Sequence, residues 1–157
     1  MHQYRIVKYS PAEREGSKPS WTSISDIGST FGGRTLSERE YLETEAKYLA
    51  ALAEFIRLAD VASLRVEGLE IYDDSPWWGA LREGEELSAD RAVELARSIL
   101  REDSVWCRLA HDGFFVHFGY DYYLYVGISN PADSAVENAR RAGLHVDEFE
   151  SPYLDGA

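Results

Sequence analysis

Phe114 to Gly127 reads FFVHFGYDYYLYVG, and seven of its fourteen residues are aromatic. The pattern is that of two short strands, Phe114–Phe118 and Tyr122–Ile128, joined around Gly119-Tyr120-Asp121. Just upstream, Asp112-Gly113 is a hairpin signal linking Phe114 back to a strand at Val105–Ala110. Three antiparallel strands in succession make a meander. A sheet has two faces and one core covers only one of them, so some of these rings are expected to point away from the core, beside Asp121. Alternation assigns Tyr122 to the face of Leu124 and Val126. Tyr123 and Tyr125 fall on the other face and are the expected exposed pair.

Working outward, Tyr4–Tyr9 alternates well enough for a first strand, and Ser10–Ser20, with Pro11, Gly16 and Pro19, reads as a loop. Trp21–Gly28 reads as a short helical turn that plugs Trp21, Ile24 and Ile27 into the core. Ser37 and Glu40 form a capping-box pattern before a long helix, Glu38 to Leu58, with Leu36 placed to staple against Tyr41. Its apolar stripe is Tyr41, Leu42, Tyr48, Leu49, Leu52, Phe55, Ile56 and Ala59, while Glu38, Glu40, Glu43, Glu45 and Glu54 are expected mainly on the solvated side. Ala62–Tyr72 reads as a strand with a break at Gly68, and Asp73–Glu86 as an irregular loop. Ser88 is expected to cap a second helix running to about Arg101. Asn130, followed by Pro131, is expected to cap a third helix that stops at Gly143, and Leu144–Phe149 forms a last strand. The order β-α-β-α-β-β-β-α-β predicts one α+β domain over residues 1–157. Its mostly antiparallel sheet should have about five to six strands, with three helices packed largely on one face.

Charge narrows the function. The chain of 157 residues carries a formal net charge of −12. Residues 1–35 hold five basic and three acidic side chains, residues 36–103 hold 8 and 17, and residues 104–157 hold 3 and 8. Such a surface opposes nucleic acid, whose phosphates are gripped by clustered Lys and Arg, and it disfavours anionic membranes. A basic protein is attracted instead. No apolar run approaches the roughly 20 residues that span a bilayer, and MHQYRIVKYS lacks the apolar core of a secretory signal. Cys107 is the single cysteine, which excludes an internal disulfide and any multi-cysteine metal site. A cytoplasmic protein without a cofactor is expected.

Chemical motifs are sparse. His111 and His117 straddle the Asp112-Gly113 hairpin, with Asp121 nearby, and superficially imitate a two-histidine, carboxylate site. Such pairs are more often surface or hydrogen-bonded histidines. Cys107 and His117 lie on adjacent strands, the minimum geometry for a thiol–imidazole pair. Yet Trp106-Cys107-Arg108-Leu109 places the thiol in an apolar strand, where cysteine usually acts as a small hydrophobe. Gly28–Arg34 (GSTFGGR) looks like a phosphate cradle without its Lys-Ser/Thr ending. What remains is an interaction surface. Trp77 and Trp78 sit in a loop among Asp73, Asp74, Glu83, Glu85 and Glu86, and adjacent tryptophans do not easily both bury against one core. Interface anchors are enriched in Trp and Tyr, with charge supplying steering. The competing reading is that the loop folds back and buries at least one of the two rings.

The motifs WTSISDIG (Trp21–Gly28), LSEREYL (Leu36–Leu42), VWCRL (Val105–Leu109), FFVHFGYDYYLYVG (Phe114–Gly127) and FESPY (Phe149–Tyr153) together resemble the immunity protein 7 family of bacterial polymorphic toxin systems. The resemblance covers nearly the whole chain. It implies a cytoplasmic α+β protein that binds and neutralises a cognate toxin domain, often a nuclease, and it brings no catalytic residues. Resemblance and charge agree on carboxylates and rings that cover a basic cleft. The expected partner-binding residues are Asp73, Asp74, Trp77, Trp78, Glu85, Glu86, Asp121 and Tyr123. The alternative is a small cytoplasmic enzyme using His117 with Cys107 or a nearby carboxylate. A third reading is an adaptor domain whose acidity serves solubility alone.

Overall fold

The computed structural model describes residues 1–72 and 78–154. The strands are β1 (His2–Val7), β2 (Thr30–Phe31), β3 (Arg34–Thr35), β4 (Ser63–Ile71), β5 (Glu86–Ser88), β6 (Val105–His111), β7 (Phe114–Phe118), β8 (Leu124–Ile128) and β9 (His145–Glu148). The helices are α1 (Pro11–Arg14), α2 (Glu38–Leu58), α3 (Ala89–Leu100) and α4 (Asp133–Arg141), with a single 3₁₀ turn at Ile24–Asp26. Seven strands form one sheet in the order β5-β4-β6-β7-β8-β1-β9. Every neighbouring pair is antiparallel. β2 and β3 make a separate hairpin. The fold is a single α+β domain, as the element order predicts.

The aromatic meander takes the middle of the sheet. All five residues of β7 and all five of β8 are buried, so both faces of these strands are covered. One face lies under the helices: α2 packs between α3 and α4, and those two reach the sheet at β4–β6 and β9. Leu64, Val66, Cys107, Leu109, Val116, Leu124 and Val126 are fully or almost fully buried there. Ser37 caps α2 by accepting from the Glu40 N–H at 3.1 Å. The return half of the capping box does not form, because the Glu40 carboxylate pairs with Arg34 at 3.2 Å instead. No helix among the described residues is long and apolar enough to cross a membrane.

Several local expectations need correcting. The sheet has a seventh strand, β5, pairing Glu86–Ser88 with Ser63–Arg65; three residues are too few to carry an alternation signal. Within Ser10–Ser20 lies helix α1, started by Pro11 and by a reciprocal capping box between Ser10 and Glu13. Helix α4 starts at Asp133, and among the described residues neither Asn130 nor any other side chain caps it. Gly32 and Gly33 both have positive φ, the requirement of a tight two-residue hairpin turn, so GSTFGGR is the β2–β3 hairpin and not a phosphate loop. Glu45 is not on the solvated side of α2. It is buried, its carboxylate gripped by Arg101 at 2.6 and 2.7 Å, approached by Arg97 at 3.5 Å, and bonded by the Tyr41 hydroxyl at 3.0 Å. Docking α3 against α2 encloses that edge of the helix and supplies the guanidinium groups a buried carboxylate needs.

Candidate functional site

The second face of the meander is covered by the chain's own end. Alternation and register aim Phe115, His117, Tyr125 and Gly127 away from the helices, along with Gln3 and Arg5 of β1. Residues 149–154 cross this face as a strap. The Phe149 N–H donates to the Gln3 carbonyl at 3.1 Å, and the Ser151 N–H to Gln3 Oε1 at 2.9 Å. Arg108 Nη1 donates to the Tyr153 carbonyl at 3.0 Å. Phe149 and Tyr153 then pack on Tyr125 at centroid distances of 6.0 and 5.9 Å, and Tyr153 also meets Trp106 and His117. Gly127 is needed beneath, since a Cβ there would fall inside the Phe115 ring. Tyr125 is consequently buried and not exposed. Tyr123 is half-buried, stacked on Tyr9 at 5.6 Å.

The structure scatters the residues predicted as contacts. Asp73, Asp74 and Trp77 lie outside the described residues. Trp78 cannot be a free contact: it is buried, its indole N–H donates to Ser98 Oγ at 2.8 Å, and Arg91 sits 4.3 Å above the ring. The competing reading, that at least one of the two rings is buried, holds for Trp78. Glu83 turns back to accept from the Gly68 and Leu69 N–H groups at 2.9 and 2.7 Å, capping the bulge in β4. Those two N–H bonds hold its carboxyl below the usual carboxylate range. Glu85 and Glu86 are exposed at the β5 edge, with Glu86 accepting from Ser63 Oγ at 2.7 Å. Register places that edge beside Arg65, Ala110 and Phe115, the opposite end of the sheet from Asp121 and Tyr123. Among the described residues of the eight, Glu85 and Glu86 share the β5 edge and Asp121 and Tyr123 share the β7–β8 turn, and the two pairs are far apart.

The thiol–imidazole geometry is also absent. Cys107 points to the helix face and burial pushes its thiol up to about 12, whereas His117 lies on the strap face. His117 shares a hydrogen bond of 2.8 Å with Ser151 Oγ and stacks on Phe115 at 4.3 Å. Burial, helped by the Arg108 charge, lowers its pKa to about 4. His111 is exposed on the hairpin, remote in environment from the buried His117. Among the described residues no cluster of three His, Cys, Asp or Glu side chains is placed to hold a metal ion.

One cleft keeps its aromatics open. It lies where the β7–β8 turn meets the end of α3 and the end of β4, with a volume of about 180 Å³. Leu100, Val105, Phe118 and Tyr122 form apolar walls, while Tyr72, Tyr120, Glu102 and Asp121 stand at the mouth. Tyr120 is 84% exposed and Tyr72 56%. Five non-glycine residues among those described have positive φ, and four of them, Glu102, Ser104, Asp121 and Tyr122, line this cleft. Such conformations cost about 1–2 kcal/mol each and persist only where surroundings over-determine them.

Those surroundings are identifiable. The Tyr122 hydroxyl bonds that of Tyr41, its ring meets Trp21 and Tyr48 edge-on at 5.3 and 5.1 Å, and its carbonyl accepts from Tyr48 at 2.7 Å. The Asp121 carbonyl accepts from Tyr9 at 2.6 Å. The turn is closed by the Gly119 N–H on the Tyr123 carbonyl at 2.8 Å, and a Cβ at Gly119 would come within 2.9 Å of the Tyr123 Cβ. On the other wall, the Tyr72 N–H donates to the Ser104 carbonyl at 2.8 Å. The buried tyrosine cluster thus forces the turn to present Tyr120 and the Asp121 side chain outward. Tyr72, Glu102 and Tyr120 were missed as site residues from sequence. One signal was readable: Arg101-Glu102-Asp103-Ser104 ends a helix without the glycine or asparagine that the left-handed stop favours. Comparison with protein-family models, curated proteins and solved structures finds no match to this chain.

Proposed function

We propose that this chain is an immunity protein, a cytoplasmic inhibitor that binds and neutralises a basic toxin domain of a bacterial polymorphic toxin system, and that it does so without chemistry of its own. The observation that carries the reading is the open cleft, where two exposed tyrosines and two carboxylates surround an apolar recess on a chain of net charge −12. Rings that lose water on contact anchor an interface, and a surplus of carboxylates steers a cationic surface towards them. A nuclease is the toxin class that suits this best, because its phosphate-binding cleft is basic. The motif resemblance to the immunity protein 7 family points the same way.

The test is protection. Cells producing the toxin candidate encoded beside this gene should regain growth when this chain is co-produced, and the two proteins should co-purify. Tyr120→Ala combined with Asp121→Asn should weaken the complex while the protein stays folded. Absence of both protection and binding would remove the reading.

A further inference from the structure

Resting on the reading that the cleft faces the partner, we propose that its occupant is an arginine side chain of the partner protein. Its methylene stem lies against Leu100, Val105 and Phe118, and its guanidinium lies at the mouth among Tyr72, Tyr120, Glu102 and Asp121. Size sets the first limit. A recess of about 180 Å³ has room for one large side chain and not for a helix or strand. Its walls are apolar, which suits a long aliphatic stem that keeps its charged head at the rim. The rim carries aromatic rings that attract a cation through their faces.

Charge sets the second limit. Among the described residues neither Glu102 nor Asp121 takes part in an ion pair; Glu102 has only a long bond of 3.4 Å from Ser23 Oγ. The C-terminal end of α3 also abuts the cleft, and helix carbonyl ends favour positive charge. The arginines of that last stretch, Arg97 and Arg101, are turned to Glu45 and do not neutralise it. An apolar side chain in the recess would strip water from two carboxylates and give nothing back. A phosphate would be repelled. Arginine suits the site better than lysine because its planar, weakly hydrated head stacks on tyrosine and bonds more than one carboxylate.

The experiment needs no toxin. Isotope-labelled protein is titrated with N-acetyl-arginine-methylamide, and in parallel with the lysine and norleucine equivalents, following backbone amide resonances. Arginine should give saturable shifts at Tyr72, Ser104, Gly119 and Tyr120, stronger than those from lysine, and norleucine should give none. Replacing Glu102→Gln and Asp121→Asn together should weaken arginine binding about fivefold, the sum of two modest ion pairs. Both substitutions are safe for the fold, since the two side chains are exposed and asparagine tolerates the left-handed conformation at position 121. No saturable shift, or norleucine equal to arginine, overturns the proposal; lysine equal to arginine overturns the choice of arginine. A chain that binds the arginine probe but protects against no toxin keeps the socket and loses the immunity reading. The reverse result keeps immunity and loses the socket.

Discussion

The strap-covered face of the sheet and the cleft at the β7–β8 turn are made from the same materials, tyrosines beside charged side chains at the ends and faces of one aromatic meander. They differ in what covers them. On the sheet face, Tyr125 and His117 are covered by residues 149–154, in which Phe149, Ser151 and Tyr153 each meet a specific partner. At the cleft, Tyr72 and Tyr120 have no such cover among the described residues. A dense aromatic run therefore does not mark a docking surface until the rest of the chain has been placed on it. Damage to the strap side should therefore cost stability, and damage to the cleft should cost binding.

The largest effect is expected from deleting residues 149–157. Two aromatic side chains leave Tyr125, and His117, Arg108 and Gln3 each lose a partner. Partial burial of two rings and a few hydrogen bonds amount to about 3 kcal/mol after the entropy of a freed tail is allowed for. Urea unfolding should show the free energy of unfolding fall by that amount, with a correspondingly lower midpoint. A midpoint unchanged within error would mean the strap is a loose tail and the contrast between the two regions is false.

Next is the pH dependence of the same seal. His117 has a folded pKa of about 4 against an ordinary 6.5, so between these values the unfolded chain binds the proton and the folded chain does not. Its stabilising contribution is complete above pH 6.5 and disappears as pH falls towards 4. From pH 7 to pH 5 the loss is about 2 kcal/mol. His117→Asn should be less stable at pH 7 but should lack this part of the slope, read as the difference between the two proteins' unfolding free energies across that range. Parallel slopes would show that the imidazole is as accessible to protons in the fold as out of it.

How far the sequence carried these conclusions depends on range. The limits of α2, Glu38 and Leu58, follow from the Ser37 cap and the helical stripe, both local signals. Tyr122 is buried among Trp21, Tyr41 and Tyr48, but it reaches that place from the turn before β8, with a positive φ, and not by strand alternation, which starts at Leu124. What alternation could not supply was the occupant of the opposite face. Phe149-Glu150-Ser151-Pro152-Tyr153 has no strand or helix period, and its contact with His117 joins residues 34 apart in sequence. Glu45 failed for the same reason: its arginines arrive from α3, 52 and 56 residues on. The cleft was half legible. Tyr120-Asp121 at a turn tip was visible, but its neighbours Tyr72 and Glu102 come from two other elements and only the sheet order brings them there.

Within the proposed function, Tyr120→Ala should reverse the pattern of the strap. Removing a ring that is 84% exposed should change folding stability by less than about 0.5 kcal/mol. Loss of an interface anchor should weaken toxin binding by about 1–2 kcal/mol, roughly 5- to 30-fold, by calorimetry. Tyr153→Ala provides the opposite control, costing stability and leaving affinity unchanged in the folded fraction. A toxin complex indifferent to Tyr120 but sensitive to Tyr153 would move the interface to the strap.

The smallest effect separates distance from charge. Glu85→Lys with Glu86→Lys and Glu102→Lys with Asp121→Lys change the net charge equally, yet the first pair sits at the β5 edge and the second at the cleft, at opposite ends of the sheet. Exposed charges beyond a Debye length of about 8 Å at physiological salt are largely screened. Reversal at Glu85 and Glu86 should therefore slow association by less than about threefold at low salt and hardly at all at physiological salt, whereas reversal at Glu102 and Asp121 should slow it at both and speed dissociation. Stopped-flow association at two ionic strengths distinguishes the pairs. Equal effects would mean that the whole acidic surface steers the toxin and that the cleft has no privileged share; a larger effect at Glu85 and Glu86 would place the docking face at the β5 edge, where the charge pattern of the sequence first suggested it.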